Sequence, residues 1–185
     1  MANGEKVTPT RLINGVAVAK DVMVKLKMDE ENISPKIIGV TDNPVATLKF
    51  YEKQIVGAKI ENAVIVTVTG TIYHCTGKIN ELDDTILELA EKLTGASVTH
   101  NHPVGSENEY TFSDSDVSLF EKYKLKILRG IDEKYTYELN RNADDIDEFP
   151  SLEEILKSPE GELSQHAEVI RKAMALNLGY RRRAR

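Results

Sequence analysis

The sequence predicts an α/β fold in which a mixed, largely antiparallel sheet is flanked by helices and followed by a C-terminal helical tail. Strand-like and helix-like segments follow one another without the regular repetition of βαβ units. Residues 60–68 are rich in β-branched side chains, and only Thr69 and Gly70 separate them from a second strand-like segment, 71–76. That spacing is typical of an antiparallel hairpin.

Composition narrows the class of protein. The chain has 185 residues, of which 41% are hydrophobic and 29% charged, enough for one sizeable core. A net charge of -6 gives the protein as a whole no basic character for binding nucleic acid. The single cysteine, Cys75, excludes an intramolecular disulfide and a cysteine-rich zinc site. No apolar leader follows Met1 and no segment approaches membrane-spanning length, so we expect a cytoplasmic protein that does not associate with a membrane.

Three regions follow from the pattern of apolar residues. Residues 1–43 form an N-terminal extension of short strands, and the sequence leaves open whether it packs on the core. The core, 44–141, begins with a helix at Pro44, because proline is favoured at the first helical position. Residues 142–185 combine an acidic connector with helices and a basic end, Arg181–Arg185, for which we expect a solvated, frayed helix end.

Within the core, each remaining element is predicted from its periodicity and its flanking residues. The first helix runs to about Gly57, and the hairpin follows it. A second helix is closed by Gly95, whose backbone freedom favours a helix C-terminus. The further predicted elements are a strand at 96–102, a helix at 113–122, strands at 125–130 and 134–140, and C-terminal helices at 151–156 and 163–178.

The most informative residues are two histidines at the end of the strand 96–102. Because side chains alternate along a strand, His100 and His102 point to the same face, with Cα atoms roughly 6–7 Å apart. Asp116, in the first turn of the next helix, is placed to add a carboxylate. Two histidines and one carboxylate are a known set of catalytic zinc ligands that leaves one position open for water.

The segment His100-Asn101-His102-Pro103 followed by Ser113 and Asp116 resembles the JAMM (MPN+) zinc metalloenzyme motif. The amino-acid sequence of this motif is similar to that of the bacterial and phage branch of the family, which includes RadC-like proteins. The resemblance covers about residues 44–140. It implies a JAMM/MPN-like fold with layering like that of cytidine deaminases, and Zn²⁺ held by His100, His102 and Asp116.

The same resemblance assigns the catalytic roles. A glutamate that opens the hairpin, here Glu61, would be the general base that takes a proton from water and passes it to the leaving amine. Ser113 would hydrogen-bond the oxyanion of the tetrahedral intermediate. The loop 103–112 is longer than in the family, which leaves substrate specificity open.

Each of these residues also has a simpler interpretation. Ser113 and Asp116 have the spacing of a helix capping box. Glu52 is an alternative general base, but its position in mid-helix predicts a solvated face. His74 and Cys75 suggest thiol chemistry, yet adjacent strand residues face opposite sides, so a buried core cysteine is the better interpretation.

Two functions are therefore expected. The first is a zinc-dependent hydrolase of amide or isopeptide bonds, a metalloprotease whose substrate is a protein or peptide. The second is a non-catalytic binding or scaffold module of the same fold, in a phage or mobile-element assembly or associated with DNA as RadC-like proteins are. Either one could join a larger assembly through its C-terminal helices, and nucleic acid is expected only at the tail Arg181–Arg185.

Overall fold

The structure, a computed structural model, describes residues 10–13, 16–77, 83–106, 110–158 and 161–185. Its helices are α1 (Pro44–Ile55), α2 (Asp83–Leu87), α3 (Ala90–Leu93), α4 (Asp114–Lys122), α5 (Leu152–Lys157) and α6 (Glu162–Ala175). Its strands are β1 (Thr10–Ile13), β2 (Val16–Ala19), β3 (Lys36–Val40), β4 (Asn62–Val66), β5 (Thr71–Thr76), β6 (Ser97–Asn101), β7 (Ile127–Ile131), β8 (Tyr135–Asn140) and β9 (Gly179–Ala184). Some of the predicted features lie outside the described residues. The polar start at 2–6 does so completely. The others do so in part: the predicted strand 13–18, the loop 103–112 and the break between the last two helices.

A seven-stranded mixed sheet organises the molecule, which confirms the predicted α/β class. The strand order is β3-β5-β4-β6-β7-β8-β9, and β1 and β2 form a separate hairpin. All neighbours in the large sheet are antiparallel except β6 and β7, which are parallel and joined through α4. The predicted hairpin is β4–β5, and its first strand also pairs with β6.

The sheet separates two hydrophobic clusters. On one face α1 packs through Leu48, Tyr51 and Ile55. The other face is covered by α2, α3, α4 and α6, and its cluster includes Val98, Phe120 and other apolar side chains from these helices and from strands β4 to β9. We refer to these as the α1 face and the α4 face. Both are fully covered at β6, where every residue is buried.

The C-terminal end differs from the prediction of a frayed helix. Helix α6 ends at Ala175, and residues 179–184 form β9, which pairs with β8 along its whole length. The outer side of β9 is partly covered, because the Asp147 amide donates to the Tyr180 carbonyl and the Arg182 amide donates to the Asp147 carboxylate. Both β3, from the predicted N-terminal extension, and β9 therefore belong to the main sheet.

The acidic connector and the basic end neutralise each other. Arg181 pairs with Asp145, and Arg183 pairs with Asp147 at 2.7 Å. The guanidinium of Arg182 lies over the ring of Tyr135, 4.3 Å from its centroid. The cationic end is thus a paired strand of the fold, with counter-charges from the connector. No described helix combines the length and apolar character that a bilayer crossing requires.

Glu52 is not on a solvated helix face, as the sequence suggested, but is 4% exposed on the α1 face. Its carboxylate accepts hydrogen bonds from the Arg129 guanidinium at 2.5 and 3.2 Å and from the Thr99 hydroxyl at 3.1 Å. Arg129 also pairs with Glu138 across β7 and β8. Burial lowers the pKa of Arg129, but the two carboxylates outweigh it and the net pKa is raised. The prediction failed because the charged partner of Glu52 lies on a distant strand.

Replacing Arg129 should strongly destabilise the protein. In Arg129→Met, Glu52 would remain buried without its counter-ion, so we expect the free energy of unfolding to fall by about 3–5 kcal/mol. Urea unfolding followed by circular dichroism measures the change. Arg171→Met is the matched control, because its pair with Glu168 is exposed and should contribute less than about 1 kcal/mol. Equal losses of unfolding free energy in the two variants would show that the buried ion pair contributes no more to stability than the exposed one.

Adjacent residues of β5 confirm the predicted burial of the cysteine. Cys75 is fully buried in the cluster on the α4 face, and burial raises the pKa of its thiol to about 12. His74 points to the other face, where its Nε2 lies 3.0 Å from the Asn62 side-chain oxygen. Burial, assisted by Lys36, lowers the pKa of His74 to about 4. A thiol that stays protonated and a histidine on the opposite face do not form a nucleophilic pair.

The buried His74 should make stability depend on pH. The pKa of His74 is lower in the folded than in the unfolded state, so the histidine has no effect on stability above pH 6.5 and destabilises the folded state progressively as the pH falls toward 4. In His74→Gln a donor toward Asn62 is retained. Between pH 6.5 and 4, we expect the free energy of unfolding of this variant to fall by about 2–3 kcal/mol less than that of the wild type. Denaturant unfolding across this range measures the difference. Parallel curves for the two proteins would contradict the assignment.

Candidate metal centre

The site lies at the C-terminal end of β6, on the α4 face. His100 is in β6, and His102 follows immediately after its end, where the His102 amide donates to the Ile131 carbonyl at 2.9 Å. This bond continues the parallel pairing with β7, so His102 keeps the alternation of the strand. The side chains of His100 and His102 therefore lie on one face, as the sequence predicted, and both residues are buried.

Asp116, in the first turn of α4, completes a cluster of three possible ligands. His100 Nε2 lies 2.8 Å from His102 Nε2 and 3.1 Å from Asp116 Oδ1, and His102 Nε2 lies 3.6 Å from Asp116 Oδ2. The three ligand atoms lie within 4.8 Å of one another, so this group could hold a metal ion. Ligands about 2.0–2.1 Å from a tetrahedral ion would be roughly 3.3–3.4 Å apart, which the observed separations bracket.

Ser113 holds the carboxylate of Asp116 in place. It is the N-cap of α4, and its hydroxyl donates to Asp116 Oδ2 at 2.7 Å while the Ser113 amide donates to the same oxygen at 2.8 Å. The Asp116 amide in turn donates to Ser113 Oγ, so the predicted capping box is present. Burial would raise the pKa of Asp116, but the adjacent His100 and His102 outweigh it and hold the pKa well below its usual value. Asp116 is therefore an ionised carboxylate with a fixed orientation, as a metal ligand would need to be.

Glu61 lies directly before β4, at the end of the sheet where β6 ends and the histidines lie. The paired register of β4 with β6 ends at Ala63 and His100, and its extension by two residues would bring Glu61 opposite His102. The Glu61 carbonyl accepts from the Gly77 amide at 2.9 Å, which shows that the pairing of β4 with β5 extends to this residue. Glu61 is half-buried. By contrast, Glu52 is on the opposite face of the sheet and is bound to Arg129.

Two aromatic rings enclose the histidines, and the sequence analysis did not identify either of them. The Phe112 ring lies 6.1 Å from that of His100, and the Tyr137 ring lies 5.4 Å from that of His102. Gly130 leaves room for Tyr137, since a Cβ atom at this position would lie 2.0 Å from Tyr137 Cε2. A glycine in the middle of a β-rich segment was the available signal, because it often marks the close approach of another group.

Tyr110, near the end of the loop that follows His102, is bound to the turn after β7 and to β9. Asp132 Oδ2 accepts from the Tyr110 amide at 3.0 Å, and the Arg182 guanidinium donates to the Tyr110 carbonyl at 3.2 Å. Tyr110 has a φ of 85°, an unusual conformation for a tyrosine that these two bonds hold in place. The next residue, Thr111, pairs its hydroxyl with that of Tyr180 at 2.8 Å.

A groove lies beside Ser113, the residue that hydrogen-bonds Asp116. It has a volume of about 660 Å³ and lies between the start of α4 and the helices α5 and α6. Its walls carry both apolar and charged groups, among them Phe112, Ser113, Asp114, Ile155, Glu168 and Arg171. A cleft of this size could accept a short extended segment of chain.

Loss of one histidine should greatly weaken metal binding. We expect wild-type protein to bind about one zinc ion per chain and His102→Ala to bind zinc at least about 100-fold more weakly, because only two ligands remain. Elemental mass spectrometry of purified protein and zinc titration measure the difference. His166→Ala serves as control, since this buried histidine contacts Tyr180 rather than the cluster. A wild type that binds no zinc would leave the histidines as packing residues.

Comparisons with known proteins identify no relative: no family model, no curated protein and no solved structure matches the chain. The resemblance of its motif to JAMM enzymes therefore stays a prediction. The site is defined by the geometry of His100, His102 and Asp116 in this chain.

Proposed function

We propose that the protein is a zinc-dependent hydrolase of amide or isopeptide bonds, a metallopeptidase of the JAMM type. One observation carries the proposal: two imidazole nitrogens and an ionised carboxylate converge in a largely buried site, with 2.8, 3.1 and 3.6 Å between their possible ligand atoms. Such a cluster is costly to bury without a cation that balances it, because desolvated polar groups need partners. Imidazole and carboxylate together favour zinc over Mg²⁺ or Ca²⁺, which prefer oxygen ligands alone.

The open ligand set favours catalysis over a purely structural role. Structural zinc sites are closed by four protein ligands, whereas three protein ligands leave room for water or substrate. His100, His102 and Asp116 are the three candidates among the described residues. When bound, zinc would supply a Lewis acid that brings the pKa of water to about 7 and polarises a carbonyl group.

Glu61 is the proposed general base. Its position just before β4, at the end of the sheet that carries the histidines, supports a role in taking the proton from the attacking water. The same carboxyl group would then return the proton to the departing amine. Glu52 has no access to this reaction, since the sheet lies between it and the histidines.

Ser113 is proposed to act at the start of the groove. Its hydroxyl donates to Asp116 in the structure and so orients a metal ligand. The residue itself lines the groove together with Phe112, Asp114 and residues of α6, where a peptide substrate would lie. Stabilising the oxyanion would require it to turn from Asp116 toward the substrate carbonyl.

A scaffold function is the second candidate, and the surface of α5 favours it. Leu152 and Leu156 are 72% and 76% exposed, and Phe149 just before them is 48% exposed. Three large apolar side chains in one short segment are typical of an interaction surface. This surface fits attachment to a larger assembly, whether or not the metal centre is catalytic.

Changing the general base should separate binding from chemistry. We expect Glu61→Gln to bind zinc as the wild type does and to hydrolyse its substrate about 10²–10⁴-fold more slowly, because proton transfer is lost. A panel of fluorogenic peptides and of peptides linked through a lysine ε-amine provides the substrates.

The control is Glu91→Gln, an exposed glutamate of α3 that should leave both zinc binding and turnover unchanged. Hydrolysis that survives in Glu61→Gln would overturn the assignment of Glu61. A wild type that holds zinc but cleaves no member of the panel would favour the scaffold function.

A further inference from the structure

A buried hydroxyl beside the metal centre makes no well-formed hydrogen bond within the described part of the chain. Tyr137 is 1% exposed, and its Oη has no partner there with hydrogen-bond geometry, although the Asp132 carboxylate lies near it. The other fully buried tyrosines differ in this respect. The Tyr51 hydroxyl accepts from the Val24 amide, and the Tyr180 hydroxyl pairs with Thr111. An unpaired buried polar group costs free energy and calls for an explanation.

The position of Tyr137 directs it toward the cluster. In the sheet, His100 pairs with Gly130, and Gly130 pairs with Tyr137, so the three form one row on the α4 face. Because Gly130 has no side chain, the tyrosine ring lies over it. The ring reaches that of His102, 5.4 Å away, and packs edge-on against Phe112 at 4.9 Å.

The two carboxylates nearest to the hydroxyl are already engaged. Asp132 accepts three backbone amides, from Lys134 and Tyr135 at 2.6 Å and from Tyr110 at 3.0 Å. Asp116 accepts from the Ser113 amide and hydroxyl and faces His100. A phenol keeps its proton throughout the neutral range, so the Tyr137 hydroxyl can donate a hydrogen bond. It is a buried donor for which no described residue supplies an acceptor in good geometry.

We propose that Tyr137 is a further catalytic residue, whose hydroxyl donates a hydrogen bond to an oxygen atom of the substrate or inhibitor bound at the His100–His102–Asp116 centre. This inference rests on the proposed metal centre and names a contact to the reacting group. A bound carbonyl or hydroxamate oxygen is a strong acceptor there, because the ion polarises it. No bond is made or broken by the tyrosine, and it keeps its proton.

The proposal predicts a selective loss of ligand affinity. Cobalt(II) replaces zinc in nitrogen and oxygen sites and makes binding visible by its absorption. We expect Tyr137→Phe to bind cobalt within about threefold of the wild type, and to bind acetohydroxamate, an oxygen-donor chelator, at least about tenfold more weakly. Titration of the cobalt-loaded proteins with acetohydroxamate measures both quantities without any turnover.

Tyr51→Phe is the matched control, because it removes a buried hydroxyl from the α1 face and should leave acetohydroxamate affinity unchanged. Equal acetohydroxamate affinity in Tyr137→Phe and wild type would overturn the proposal. Loss of cobalt as well as acetohydroxamate would also overturn it, since Tyr137 would then only position His102. A wild type that binds no cobalt would instead refute the metal centre itself.

A crystal structure of the wild-type cobalt–acetohydroxamate complex tests the contact directly and does not depend on how well the variant folds. We expect the Tyr137 Oη within about 3.2 Å of a hydroxamate oxygen. A separation beyond about 3.5 Å, or a hydroxyl turned onto Asp132, would contradict the proposal.

Discussion

The alternation of side chains along β6 is the constraint on which the site depends. This strand is central in the sheet and entirely buried, so each of its polar side chains must find a partner on the face to which it points. Thr99 points to the α1 face and binds Glu52. His100 points to the α4 face and meets Asp116. A shift of register by one residue would exchange these partners and leave both faces with unpaired polar groups.

The polar groups around the centre are held mainly by backbone atoms. Asp132 is bound by three amides, and Asp116 is bound by the amide of Ser113, so neither carboxylate depends on a flexible side chain for its orientation. Backbone donors have little freedom to move, which favours a preorganised site. Tyr110, in the described part of the loop after His102, is held in the same way, through both of its backbone groups.

Local patterns in the sequence were enough to predict much of the fold and the main cluster. Helix α1 begins at Pro44 as expected, and the spacing of His100, His102 and Asp116 fits the cluster, because strand alternation and helix capping are local rules. The failures all involve long-range partners. Glu52 is buried because Arg129 reaches it from β7. The basic end becomes β9 because β8 offers it an edge and the connector offers it counter-charges.

Tyr137 and Phe112 could not be assigned to the site for the same reason. The local sequence around a strand tyrosine is the same whether the side chain packs in a core or lies beside a functional site. Only the pairing of Gly130 with His100 and Tyr137 shows that Tyr137 is beside the histidines. The sequence shows Gly130, but which side chain lies over it depends on the order of strands in the sheet.

The parallel pairing of β6 with β7, unlike the other strand pairs of the described sheet, has a stereochemical consequence. Parallel strands joined through a helix are almost always connected by a right-handed crossover, which follows from the twist that L-amino acids impose on strands. The connection from β6 to β7 runs through α4, so this rule decides which face of the sheet the helix covers. It thereby decides that Asp116 meets the histidines rather than Glu52 and Arg129. The composition of the centre thus derives in part from the handedness of the backbone, before any side chain makes a contact.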